Sequence, residues 1–273
     1  MTALSPARSP ARPSVGDHLR ALRARRRLSQ LACALEAEIS QRHLSFVESG
    51  RAQPSREVLL RIAERLDAPL RERNALLLAA GYAPVYPERG LDAPEMAAAK
   101  AAVERILKGH EPFPALAVDR GWTLVAANAA VGPLLALVED AALLAPPVNV
   151  LRLSLHPGGL APRIVNLAEW RAHILERLRG QAALTGDAGL TALAEELAGY
   201  PAPPAPRRPA GPDPLAGVAA PLSLDAGGET LRFLSTTTVF GTPTEVLLSE
   251  LALECFFPAD AATGEALRRL AAG

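Results

Sequence analysis

Within six residues the chain carries Gln41, Arg42, His43 and Phe46, side chains of the types that read DNA bases. Glutamine can make paired hydrogen bonds to adenine and arginine to guanine, while an aromatic edge can contact a thymine methyl. To act together they must share the exposed face of one helix. Ser40 is placed to cap such a helix over residues 41–48, and Ser29 to cap another over residues 30–37. Between the two, the small Ala34 permits close approach, Glu38 stands at the turn, and Ile39 and Leu44 fill the angle. This is the spacing of a helix-turn-helix.

A second set, His156, Arg163 and His173, is of types that could support acid–base chemistry. Nothing around it completes a catalytic constellation. The sequence holds no Gly-x-Ser-x-Gly elbow, no His-Glu-x-x-His pair, no phosphate-cradling loop and no dinucleotide fingerprint. No enzymatic activity and no cofactor are therefore expected, and Arg163 is expected to pair with a carboxylate at the start of a long helix. Cys33 and Cys255 lie far apart in apolar periodic segments, where a buried small hydrophobe is a simpler role than a disulfide or a metal ligand.

The helices that would position the first set can be read directly. Val15, Leu19 and Leu22 recur at helical spacing among the arginines of 20–27. Val58, Leu59, Ile62 and Leu66 make the apolar face of a helix opened by Pro54-Ser55, and Pro69 opens another that ends at Gly81. Five short helices thus predict an all-α helix-turn-helix module over residues 14–83, behind an arm over 1–13 that reads as disordered. Residues 1–82 hold 14 arginines against eight acidic residues, a net charge of +6, and the rest carries −6. A basic module on an acidic chain points to a polyanion partner for that module.

Pro84, Pro87, Gly90 and Pro94 interrupt the periodicity, so residues 84–94 read as a linker. Beyond it come a helix over 95–108, strands over 115–119 and 122–127, and a helix capped by Asn128. Helices over 166–180 and 187–200 follow, then a proline-rich connector over 201–212 and strands over 218–224, 230–240 and 245–257. This order predicts an α+β, PAS-like domain over 95–258, with a five-stranded antiparallel sheet and helices between its second and third strands, then a C-terminal helix or tail over 259–273. Trp122, Trp170, Phe233 and Phe240, with His173 one turn beyond Trp170, could wall an apolar pocket, although core packing alone would account for each. A chain of 273 residues that is 49% hydrophobic is long and apolar enough for two cores, which excludes a disordered protein. The uncharged stretch over 121–138 is too rich in alanine, and too interrupted by Asn128 and Gly132-Pro133, to span a membrane. No apolar signal core follows the first dozen residues, so a cytoplasmic location without membrane insertion is expected.

Two stretches carry a resemblance. The runs Leu28-Ser-Gln-Leu-Ala and Ile39-Ser-Gln-Arg-His-Leu-Ser-Phe-Val-Glu-Ser-Gly-Arg51 resemble the DNA-binding domain of the phage-repressor-like, xenobiotic-response-element (XRE) group. The resemblance implies that Gln30 contacts the phosphate backbone, that Gln41, Arg42 and His43 enter the major groove, and that Arg23 and Glu48 form a buried ion pair. Ser40 and Arg51 complete the expected DNA-facing set, Arg51 as a contact indifferent to base sequence. That group usually has glycine where Glu38 stands, and a positive φ there would strain a non-glycine residue by ~1 kcal/mol or more.

The second stretch, Arg152-Leu-Ser-Leu-His-Pro-Gly-Gly-Leu-Ala-Pro-Arg-Ile-Val-Asn-Leu-Ala-Glu-Trp170, with Phe256-Phe-Pro-Ala-Asp260, resembles the C-terminal ligand-binding domain of MmyB-like regulators. It implies a sensor of a small apolar, fatty-acyl ligand. The expected protein is a regulator that binds double-stranded operator DNA as a homodimer. The alternative is a DNA-bound interaction scaffold or antitoxin-like repressor whose second domain binds a protein.

Overall fold

The structure, a computed structural model, describes residues 13–201 and 221–272. Residues 1–12 of the arm expected over 1–13, nearly all of the proline-rich connector and the first part of the strand expected over 218–224 lie outside these residues. Two compact units result, one reaching Glu88 and including Thr244–Val246, the other comprising the remainder.

The first unit is built from α1 (Val15–Arg25), α2 (Gln30–Glu36), α3 (Gln41–Glu48), α4 (Arg56–Arg65) and α5 (Leu70–Ala79). Ser14, Ser29, Ser40 and Ser55 each accept a backbone N–H three residues on, so four of the five helices begin with a side-chain cap. Leu19, Leu22, Leu44, Leu59, Ile62 and Leu77 form one core. Every helix ends by turning through a left-handed residue: Arg27, Glu38, Gly50, Asp67 and Gly81 have φ of 55°, 54°, 73°, 45° and 84°. Only two of these are glycines, so the strain expected at Glu38 is present there. At Gly16 a Cβ would lie 2.2 Å from the Glu48 carbonyl oxygen, which is how closely α1 approaches α3. The Asn74 side chain accepts the N–H groups of Val85 and Tyr86 and donates to the Tyr86 carbonyl. The first unit therefore extends into the stretch read as linker.

In the second unit α6 (Ala97–Gly109) precedes β1 (Ala115–Val118) and β2 (Leu124–Ala127). Next come α7 (Gly132–Leu135), α8 (Val150–Leu155), α9 (Leu167–Thr185) and α10 (Ala188–Gly199). The chain closes with β3 (Leu222–Asp225), β4 (Thr230–Val239), the short α11 (Val246–Glu250), β5 (Ala252–Pro258) and α12 (Ala261–Ala272). The five strands form one antiparallel sheet in the PAS-like order β2-β1-β5-β4-β3. One face packs Leu224, Leu231 and Phe233 against Trp170, Ile174 and Leu178 of α9. The other packs Ala115, Ala117, Leu253 and Cys255 against Val103 and Leu107 of α6.

Several local expectations are corrected. The strand expected over 245–257 begins only at Ala252, because Val246-Leu-Leu-Ser-Glu forms α11; so short an apolar run does not separate helix from strand by its period. The second strand starts at Leu124 rather than at Trp122, whose φ of 65° belongs to the turn. There the Asp119 carboxylate accepts the N–H groups of Gly121 and Thr123. Asn128 caps no helix through its side chain. It accepts from Ala115 N–H and donates to the Leu107 and Phe113 carbonyls, tying β1 to the end of α6. The helix expected over 166–180 runs on to Thr185, past the exposed Gly180, because Ala182 prolongs its buried stripe and the left-handed Gly186 ends it. Arg163 has no carboxylate partner among the described residues, and Glu169 instead accepts from the Asn166 amide.

Glu38→Gly removes a left-handed non-glycine residue and is expected to raise stability by ~1 kcal/mol. Urea unfolding followed by circular dichroism measures this, and a lower midpoint for the variant would refute the strain.

Candidate DNA interface and ligand cavity

In the first unit, α2 and α3 are joined by the Ala37–Ile39 turn, in which Ile39 N–H donates to the Ala34 carbonyl at 2.9 Å. Ser40 Oγ accepts the His43 N–H at 3.1 Å, fixing the start of α3. Gln41 and Arg42 are exposed, whereas His43 and Phe46 are half-buried, so the open part of the expected face is narrower than its residue types suggest. Phe46 is held by two cations, with the Arg42 and Arg51 guanidinium carbons 5.2 and 4.7 Å from its ring centre. Arg51 also donates from Nε to Ser49 Oγ at 3.0 Å. The aromatic ring thereby fixes the direction of two positive charges on one side of α3.

Behind that face lies a charged network. Arg23 donates from Nε and Nη2 to the two Glu48 oxygens at 2.8 and 3.0 Å, and from Nη1 to the Leu28 carbonyl at 2.9 Å. Gln30, at the start of α2, donates to Glu48 Oε2 at 2.7 Å. The Glu48 side chain is only 3% exposed. Burial pushes its carboxyl pKa up, but the hydrogen bonds from Arg23 and Gln30 and the Arg23 charge outweigh burial and hold it below the ordinary 4.5. One carboxylate thus ties together α1, α2 and α3.

In the second unit a cavity of about 110 Å³ opens between the sheet and α8 and α9. Trp122, Trp170, His173 and Phe233 line it, together with aliphatic residues such as Leu116, Leu134, Leu151 and Ile174. Each indole is fixed by its N–H: Trp122 donates to Gln181 Oε1 at 2.9 Å and Trp170 to Ser154 Oγ at 3.0 Å. The His173 ring lies 5.7 Å from that of Trp170. Phe240 is not part of the wall and packs with the α6 side of the sheet. It follows Phe233 by an odd number of residues, and alternation along an extended strand sends such a pair to opposite faces.

The signature from Arg152 to Trp170 positions this wall. His156 Nδ1 accepts the Gly158 N–H at 3.0 Å, and at Gly159 a Cβ would lie 2.2 Å from the Leu153 carbonyl oxygen. Arg152 makes a bidentate contact with Glu196 of α10 at 2.8 and 2.7 Å. Tyr200 donates to the same carboxylate, and burial with that bond pushes its pKa up to about 12. Asn166 accepts from Ser223 N–H at 3.0 Å, which joins α9 to β3.

Sequence reasoning missed the polar end of the cavity. Arg177 and Glu254 line it, pairing at 2.6 Å, and the guanidinium lies 4.5 Å from the Trp122 ring centre. Both could have been noticed as charges inside apolar patterns. Arg177 falls on the inner stripe of α9 with Trp170 and Ile174, and Glu254 interrupts the apolar run of β5.

A helix-turn-helix unit followed by an α+β unit with an apolar cavity defines the class: a DNA-binding transcription regulator with a ligand-binding domain. Residues 14–76 match a helix-turn-helix domain, and residues 99–270 match the MmyB-like transcription regulator ligand binding domain. The chain belongs to the MmyB-like transcription regulator family. No curated protein matches it. Among the described residues no helix is long and apolar enough to cross a membrane.

Removing Glu48 strands a guanidinium against the core. Glu48→Ala is expected to cost about 3–5 kcal/mol, where an exposed pair would cost ~1 kcal/mol or less. Since the Glu48 pKa is lowered on folding, its contribution is complete above the unfolded value and is lost as pH falls through the folded one. Urea midpoints at neutral pH and in acid should therefore converge for wild type and variant, and a pH-independent difference would contradict this role.

Proposed function

We propose that the first unit reads an operator with α3 in the major groove and that the second unit senses a small apolar ligand in its cavity. Gln41 and Arg42 contact base edges, Ser40, His43 and Phe46 support that contact, and Gln30 and Arg51 meet the phosphate backbone. Two copies of the chain bind an inverted repeat whose half-sites lie about one helical turn apart, and the protein acts in the cytosol. A fatty-acyl chain is the ligand class the family resemblance implies. The observation that carries the sensing half is the cavity itself: its walls are mostly apolar, both tryptophans of the chain line it, and about 110 Å³ remains open. An interaction scaffold would fill such a space with its own side chains.

Arg42→Ala is expected to weaken binding to an operator selected from a random library by ~1–3 kcal/mol more than binding to unselected DNA, whereas Arg51→Ala weakens both alike. Equal losses for Arg42→Ala on the two DNAs would remove it from the base-reading set.

The cavity also sets a size limit. Its volume is a little below that of an engineered cavity of about 150 Å³ that takes benzene, so its walls as they stand surround about six carbons of an acyl chain. In a series of linear alcohols titrated against tryptophan fluorescence, affinity should rise by ~0.8 kcal/mol per buried methylene and level off near that length. A flat response across all lengths would sink the sensing reading.

A further inference from the structure

Three residues from the second half of the sequence belong to the first unit. Thr244–Val246 lie in the connection between β4 and β5, yet they group with the chain up to Glu88. Val246 is wholly buried, and its N–H donates to the Pro87 carbonyl at 2.9 Å. Pro87 is itself held, because Asn74 of α5 accepts the N–H groups of Val85 and Tyr86 just before it and donates to the Tyr86 carbonyl. The Tyr86 ring also lies 5.8 Å from the Arg73 guanidinium carbon. Through these bonds the three residues are fastened to α5, which packs against α1 and α4 in the helix-turn-helix core.

On both sides the same segment continues into strands that line the cavity. β4 supplies Phe233 to the wall, and β5 supplies Glu254 and Phe256. The last paired residues before and after it are Val239 and Ala252. Close to that end α9 grips both strands, since Arg177 donates to Thr237 of β4 and to Glu254 of β5. Leu248 of α11 and the following Leu251 pack in the core on the α6 side, so little chain is left to absorb a movement of the hairpin. The chain that follows Glu88 is a poorer route: it leads into α6, which covers the opposite face of the sheet and, among the described residues, supplies nothing to the cavity wall. We propose that Thr244–Val246 is a strap that carries the state of the cavity to the DNA-reading unit. A ligand that displaces α9 or the β4–β5 hairpin pulls on Pro87 and, through Asn74, on α5. The proposal rests on the reading that the cavity is the ligand site and that the first unit binds an operator. If ligand alters operator binding through the strap, linkage requires the operator to alter ligand binding by the same factor.

The test uses the full chain, whose only two tryptophans both line the cavity. Hexan-1-ol is titrated against tryptophan fluorescence, without DNA and at saturation with a selected operator, for wild type and for Val246→Pro. Val246 is the first residue of α11, where proline is tolerated, so the substitution chiefly removes the N–H that Pro87 accepts. In wild type the operator should shift the half-saturating concentration by a factor of at least about 5. Val246→Pro should keep the half-saturation measured without DNA and the operator affinity measured without alcohol, and lose the shift. A variant that melts like wild type and retains the shift overturns the strap, as does a wild type that shows none. Hydrogen exchange gives a second arm that needs no variant: saturating wild type with hexan-1-ol should change the exchange rate of the Val246 amide by at least about fivefold. An unchanged rate there overturns the proposal even if Val246→Pro does not fold. Each of these failures leaves the cavity as a ligand site, whereas silence of both tryptophans towards the alcohol in the absence of DNA would defeat the sensing reading and the strap with it.

Discussion

A carboxylate taken out of water must be met by a cation and by enough hydrogen-bond donors to replace its hydration, and each unit of this chain is organised around one such group. Glu48 and Glu254 are each 4% exposed. Each receives two nitrogens of a single arginine, Arg23 or Arg177, and one neutral donor, Gln30 or Thr237. The partners come from different elements in both cases, so satisfying the charge fixes how those elements meet. In the first unit that sets the angle at which α3 is presented. In the second it holds α9 over the sheet and leaves a neutral polar patch in an apolar wall.

These two networks act on different elements. A buried ion pair adds little net stability over a well-packed apolar substitute, but it penalises every arrangement that leaves either charge alone. Around Glu48 this selects one packing of α1, α2 and α3, and the tight Gly16–Glu48 approach leaves little room for another. Around Glu254 the same penalty selects one packing of α9 on the sheet. Trp122 lies against the Arg177 guanidinium and is held by Gln181, one turn further along α9. The aromatic wall and the ion pair therefore form one connected structure, while the Trp170–Ser154 bond fixes the other indole independently.

The first unit was legible in the sequence because its determinants are local. Ser29 and Ser40 bond three residues ahead, and the apolar spacing repeats within each helix, so caps, helices and turn could all be read at short range. Arg23 and Glu48 came instead from the family resemblance, since nothing local joins residues 25 apart. The second unit's hairpin pairs were legible from its turns, whereas the β1–β5 pairing that joins them was not, and its cavity was legible only in part. Trp122, Trp170, His173 and Phe233 converge, yet the pair at its polar end joins residues 77 apart. Phe240 lies on the α6 side because strand alternation separates it from Phe233, which its residue type alone does not reveal. Similarly, α11 was hidden in an apolar run too short to show a helical period.

We propose that occupancy of the cavity changes how the helix-turn-helix unit binds DNA. A ligand can do this only by binding the DNA-competent and DNA-incompetent states with different affinity. The most direct measurement is the affinity of the full chain for a selected operator, by fluorescence anisotropy, without ligand and with hexan-1-ol at a concentration that saturates the tryptophan signal. The operator affinity is expected to change by a factor of about 5 to 150, the usual range of coupling between two sites. An unchanged operator affinity at demonstrated saturation of Trp122 and Trp170 would contradict it.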